Sequence, residues 1–169
     1  MTTDLQIETP RLIIRTVTMA DVEDVARSWK LYDGPISHAE AEHQIARMQS
    51  NHQQNRSGQL FHLCLAIIDK ETQDFIGWCG LDHRDPATPY PVLFYLLKTD
   101  RWGQGLATEA ARALLDYAFI ELGQPRIDGR TALENIASKR VMEKIGMQYL
   151  GIDNDAHTFT LTQTEHPNK

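Results

Sequence analysis

Six consecutive apolar residues, Val92–Leu97, lead through Lys98-Thr99-Asp100-Arg101-Trp102-Gly103-Gln104-Gly105 into a long alanine- and leucine-rich segment. This junction limits the possible folds more than any other part of the chain. An uncharged run of that length reads as a strand buried on both faces at the centre of a sheet. Residues 106–122 carry Ala107, Ala110, Ala111, Leu114, Leu115, Ala118, Phe119 and Leu122 at helical spacing, and Gly123 and Pro125 supply a helix stop. A strand that feeds a helix through a two-glycine turn belongs to a layered α/β structure. It also sets a helix N-terminus, with unpaired N–H groups and a partial positive charge, where the glycines let a ligand approach the backbone. A phosphate or pyrophosphate suits that arrangement, and a tight turn with no ligand suits the two glycines equally. The motif GxxxxGK[ST] is absent. GxGxxG fails too, because Thr108 stands at the third glycine position and the turn comes late in the chain.

The rest of the chain supplies the other elements. Residues 12–17 read as a first strand, and Thr18 with Asp21 starts a helix bearing Val22, Val25, Ala26 and Trp29. After the turn Asp33-Gly34-Pro35, Ser37 and Glu40 form a second capping box ahead of Ala41, Ile45 and Met48. Residues 51–58 are polar and read as loop. Residues 61–68 and 75–81 form a hairpin, and a loop with Pro86, Pro89 and Pro91 precedes the central strand. A strand at 126–133 follows, then a helix capped by Asn135 and stopped at Gly146, then strands at 148–152 and 157–162. The order predicts one mixed α/β sheet of about seven strands flanked by about four helices, a single domain over residues 1–169 with no internal repeat or linker.

Charge narrows the partners. Seventeen Lys and Arg residues against 23 Asp and Glu give a net charge of -6, and the isoelectric point is near 5.6. Nucleic acid and anionic membrane surfaces call for a basic footprint, so neither is predicted as a partner. An anionic ligand must be held by local geometry instead. Cys64 and Cys79 lie in apolar runs without a CxxC pair, and the N-terminus lacks a basic-then-apolar signal pattern. The expectation is a reduced, cytoplasmic protein. His62, Cys64, Cys79 and His83 show none of the standard ligand spacings, so no metal is predicted.

The run Trp102-Gly103-Gln104-Gly105-Leu106-Ala107-Thr108-Glu109-Ala110 resembles the acetyl-CoA pyrophosphate loop of the GNAT N-acetyltransferase superfamily. The form is that of its ribosomal-protein N-terminal alanine acetyltransferase (RimJ/RimL-like) branch. Three other stretches are similar in order and spacing: residues 8–15 to the branch's opening strand, residues 76–81 to its third strand, and residues 135–147 to its last helix. The resemblance implies a GNAT-like fold and an enzyme that uses acetyl-CoA as cosubstrate. It implies that Trp102, Gly103, Gln104, Gly105, Leu106, Ala107 and Thr108 form the pyrophosphate loop, and that Tyr95, Leu96 and Leu97 offer a strand edge to the pantetheine amides. Asn135 matches the cofactor-side asparagine, and Ser138 stands where the branch can place a hydroxyl near the thioester sulfur. On helix chemistry alone these two are an N-cap and a first-turn serine.

The sequence departs from the wider family at Trp102, usually Gln or Arg, at Val92, often a glutamate base, and at Met142, a tyrosine acid in many relatives. Ser138 then remains as candidate acid, with Asp82 and His83 as candidate bases; a solvated turn before Pro86 explains those two as well. Neither cysteine has the basic neighbours of an activated nucleophile, so direct attack by an amine is the mechanism implied. The acceptor is expected near Trp29, Tyr32, Asp33 and the loop at residues 82–90, as a protein N-terminus or small amine. The quaternary expectation is a monomer or homodimer. A catalytically weak acyl-CoA-binding module or sensor of the same fold is the alternative.

Overall fold

The computed structural model describes residues 4–56 and 58–166. Its strands are β1 (Gln6–Glu8), β2 (Leu12–Arg15), β3 (His62–Asp69), β4 (Phe75–Asp82), β5 (Val92–Leu97), β6 (Arg126–Ala132), β7 (Gln148–Asp153) and β8 (Ala156–Thr162). The helices are α1 (Val22–Ser28), α2 (His38–Gln54), α3 (Leu106–Ile120) and α4 (Ile136–Lys144). All eight strands join one sheet in the order β1-β2-β3-β4-β5-β6-β8-β7. β5 and β6 are parallel and every other neighbouring pair is antiparallel.

Side-chain alternation divides the sheet into two buried faces. One face carries Cys64, Ala66, Ile68 and Trp78 against Val25, Ala26, Ala41, Ile45 and Met48 of α1 and α2. The opposite face carries Leu63, Leu65, Cys79, Leu81, Leu93 and Leu97 against Ala110, Ala111, Leu114, Leu115 and Ala118 of α3. Three alanines on that stripe let α3 lie close to the strands. Cys64 and Cys79 therefore face opposite ways.

Three differences from the sequence reading have physical causes. The sheet has eight strands because β1, a short and mostly exposed strand with no apolar alternation, pairs with β2. Helix α2 runs through residues expected to be loop, ending at Gln54, because buried His52 continues the stripe of Ala41, Ile45 and Met48. Strand β5 is only half-buried at Val92, Phe94, Tyr95 and Leu96. Its apolar face borders open space where full cover was predicted.

Candidate active site

The turn ahead of α3 is built from backbone. Gly103 and Gly105 have φ of 73° and 77°, a left-handed conformation that a side chain strains. Around Gly103 a Cβ would meet nothing within 4 Å, and around Gly105 only an Arg11 guanidinium nitrogen at 3.7 Å. The backbone twist calls for glycine there, and the space outside it is open. Gly105 is the N-cap of α3 and provides no side-chain acceptor, so the first N–H groups of the helix stay available.

Neighbouring side chains hold this turn. Arg101 reaches Asp69 at 3.0 Å and Asp74 at 3.2 Å on the β3–β4 hairpin, and Gln104 Nε2 donates to the Asp100 carbonyl at 3.1 Å. Trp102 Nε1 and Tyr32 Oη both donate to the Leu97 carbonyl, at 2.9 and 3.0 Å, with the rings edge to face. Trp102 thus braces the end of β5, and Tyr32 joins it there, away from the cleft described below. Glu109, one turn into α3, takes hydrogen bonds from Thr9 Oγ1 at 2.6 Å, Arg11 N at 2.9 Å and Arg11 Nε at 2.7 Å. Burial raises the Glu109 pKa, but these bonds outweigh it and hold the carboxyl below its ordinary value. Arg11 also donates to the Gln104 carbonyl at 3.0 Å. The clamp puts a guanidinium beside the turn and neutralises an anion that would repel a phosphate.

Beyond the turn the sheet opens. β5 pairs with β6 only at Val92↔Asp128 and Leu93↔Gly129, so Phe94, Tyr95, Leu96 and Leu97 have no strand partner on that side, with the Leu97 carbonyl already taken by Trp102 and Tyr32. A chain or ligand with amide groups can add to such an edge. Tyr95 crosses the opening: its Oη donates to the Ser138 carbonyl at 2.9 Å and lies 2.8 Å from Ser138 Oγ. With the phenol proton so engaged, the Ser138 hydroxyl donates to the phenol oxygen. Burial pushes the Tyr95 pKa up to about 12, which keeps the phenol neutral. Asn135 Oδ1 accepts the Ser138 N–H at 3.0 Å and caps α4. Met142 is buried in the core and packs beside Gly129.

On the α1–α2 face, at the Val92 end of β5, lies a cleft of about 420 Å³. Trp29, Met48 and Phe94 give it apolar walls; Arg47, Asn51, His62, Asp82, Arg84 and Asp85 line the remainder. A Cβ on Gly80 would lie 2.4 Å from the Phe94 ring, so glycine is what lets this ring lie across β4. His62, Asp82, Val92 and Asp128 form one row across four strands. Asp82 is held by Arg84 at 2.8 and 2.6 Å, and that pairing lowers its pKa. Asp128 is committed to Arg126 and Thr160. His62 stacks on Phe94 and takes a long 3.4 Å bond from Asn51 at Nδ1. Burial, then the Arg84 charge, lowers its pKa to about 4. Its Nε2 has no partner among the described residues. His83 stands outside this lining, its ring nitrogens 3.2 and 3.1 Å from the Leu60 and Thr88 carbonyls. Cys64 and Cys79 are buried thiols, with burial raising the Cys64 pKa to about 12 and the Cys79 pKa further.

Residues 11–148 match the family model described as acetyltransferase (GNAT) domain. The chain belongs to this family. An uncharacterized N-acetyltransferase p20 of Bacillus licheniformis is 34% identical over 53% of this chain and 51% of its own length. The matched stretch is thus about half of that curated relative. An acetyltransferase from Agrobacterium tumefaciens is 28% identical, with a TM-score of 0.71 over 93% of this chain and 94% of that one. RimJ of Mycobacterium smegmatis, solved in complex with CoA-disulfide, shares the fold at 18% identity, with a TM-score of 0.76 over 98% and 90% of the two chains.

Within this GNAT chain the structure brings Tyr95 and Ser138 together and keeps Trp102, Gly103, Gln104 and Gly105 in one turn. It leaves Tyr32 and Asp33 off the cleft. Sequence reasoning missed the Arg11–Glu109 clamp and the contributions of His62 and Arg47. An acidic residue in a first helical turn is ordinary, so Glu109 gave no sign of a partner nearly a hundred residues away. Arg47 looks like any charged residue on the outer face of a helix.

Proposed function

We propose that the chain is an acetyl-CoA-dependent N-acetyltransferase acting on a primary amine. The observation that carries this reading is the break between β5 and β6. It leaves a strand edge without a strand partner from Leu97, ahead of the glycine turn, to Phe94 at the cleft, with Tyr95 and Ser138 beside it. Gly103, Gln104, Gly105, Leu106, Ala107 and Thr108 would hold a pyrophosphate by backbone N–H groups and the helix dipole, and the edge at 95–97 would pair with pantetheine amides. Asn135, while capping α4, keeps Ser138 in place.

Bound there, acetyl-CoA supplies the acyl group: the acceptor, having lost one ammonium proton, bonds through nitrogen to the thioester carbonyl carbon as the C–S bond breaks, and the second proton that nitrogen then gives up balances the one the thiolate gains. Ser138, turning its proton away from the Tyr95 phenol oxygen, is the hydroxyl that donates toward a departing thiolate. Proton removal belongs to the polar end of the cleft, where Asp82 and the unpartnered Nε2 of His62 stand side by side. The pairing of Asp82 with Arg84 makes it a weak base alone, so this end works by passing the proton to water. The high proton affinities of both buried thiols favour direct attack over an acyl-cysteine.

The test is thermal stabilisation by CoA, acetyl-CoA, NAD and ATP, followed by thiol release with a panel of amines and N-terminal peptides. Stabilisation by the two CoA species alone, with amine-dependent thiol release, is the expected result. Stabilisation with no release from any amine identifies a CoA-binding module instead, and no stabilisation overturns both readings.

A further inference from the structure

Two guanidinia line the cleft over Phe94, and their situations differ. Arg84 is bound to Asp82. Arg47, on α2, makes no ion pair among the described residues; its guanidinium carbon lies 5.9 Å from the Trp29 ring centroid, held by an aromatic face. Of the lining carboxylates, Asp82 is ion-paired with Arg84, and Asp85 is turned into its own loop, where Oδ1 accepts the Ala87 N–H. Both guanidinia are felt at the cleft floor, Arg84 more than Arg47: they oppose protonation of His62 and favour the ionised form of Cys64, against the opposite pull of Asp82.

An amine acceptor is a cation before it reacts. A site shaped for amines that bear positive charge alone would hold surplus carboxylates, and a free guanidinium there repels them. The repulsion turns to attraction when the acceptor also carries an anion. A guanidinium matches a carboxylate in plane and spacing and binds it through two parallel hydrogen bonds.

Resting on the reading that this cleft receives the acceptor, we propose that the acceptor is an amino carboxylate. Its amine points toward Val92 and Phe94, its carboxylate is paired with Arg47, and its apolar body lies against Trp29 and Phe94. A cleft of about 420 Å³ is the size that holds a small metabolite.

The test compares amino acids with their own amides, for example phenylalanine with phenylalaninamide and leucine with leucinamide, by acetyl-CoA-dependent thiol release. The α-amino group of the amide is the less basic and supplies more neutral amine, so a preference for the acid cannot come from amine basicity. The expected kcat/KM favours the acid by at least about tenfold. Arg47→Gln brings the ratio close to one and Arg47→Lys keeps part of it. Calorimetry of the unreacted amino acid with the protein is the readout free of turnover, and its affinity falls in Arg47→Gln. Peptides with Asp or Asn in second place show whether the carboxylate comes from a peptide side chain or from a free amino acid; preference for the acidic member of either pair supports the proposal. Equal rates for acid and amide, or an unchanged ratio in Arg47→Gln, overturn it while leaving acetyl transfer intact. No thiol release with any acceptor overturns acetyl transfer, and the proposal with it.

Discussion

The glycine turn and the cleft over Phe94 sit at the two ends of β5 and are made in opposite ways. The turn presents backbone: two glycines at positive φ, a helix N-terminus without a side-chain cap, and bracing contacts from Arg101, Trp102 and Arg11. The cleft presents side chains from the end of α1, from α2, β3, β4 and β5, and from the loop between β4 and β5. A backbone site recognises what all its users share. A side-chain site can change its ligand by exchanging one residue, and Arg47 is the residue here whose exchange would do so.

The sharpest way to break this comparison is to put a side chain into the backbone site. Gly105→Glu should abolish CoA binding in calorimetry, while circular dichroism shows the fold retained. Gly105→Ala separates strain from charge, since it costs about 1–2 kcal/mol of stability for a left-handed residue without adding an anion. Undiminished CoA affinity in the glutamate variant would mean the turn is not the pyrophosphate site. Next in size, Ser138→Ala should lower kcat by about a hundredfold with acetyl-CoA affinity nearly unchanged. If kcat holds and KM rises instead, Ser138 is a binding residue. Arg11→Ala leaves Glu109 uncompensated beside the turn and should weaken CoA binding about tenfold, with Arg11→Lys restoring part of it. Equal affinity in both variants would reduce the clamp to a structural tie.

The smallest effect concerns the cleft side. Burial keeps His52 and His62 neutral in the folded chain until their pKa values of about 4, whereas the unfolded chain takes up protons below the ordinary value of 6.5. Between those limits the unfolded state binds more protons, so stability is full above about pH 6.5 and falls as pH drops toward 4. The melting temperature should follow that slope, and His52→Gln, whose side chain can still accept the Cys64 N–H, should flatten it. A slope unchanged in that variant would assign it to other groups.

The difference between the two ends also explains what the sequence could tell. Strand, glycine turn and alanine-rich helix are contiguous, so residues 92–122 reveal their geometry through local spacing alone. The capping roles of Ser37 and Asn135 are local as well, and each side chain accepts the expected N–H. The cleft assembles residues scattered from Trp29 to Phe94, and only the register of β3 on β4 and β5 brings His62, Asp82 and Val92 into one row. Half-burial of β5 was hidden for the same reason: Phe94 is apolar whether a helix or an open cleft covers it. His52 hid the extent of α2, since a polar letter in a helical stripe gives no hint that its ring nitrogen meets the Cys64 N–H at 3.1 Å.

The parting of β5 from β6 beyond Leu93 turns the sheet from a partition into a doorway. A donor laid along the free edge and an acceptor seated over Phe94 would arrive through separate entrances and meet where the strands begin to diverge. Neither has to leave before the other enters. The kinetic signature of that plan is a ternary complex: initial-rate lines that intersect as the two concentrations are varied, with each product free to depart by the entrance its parent used.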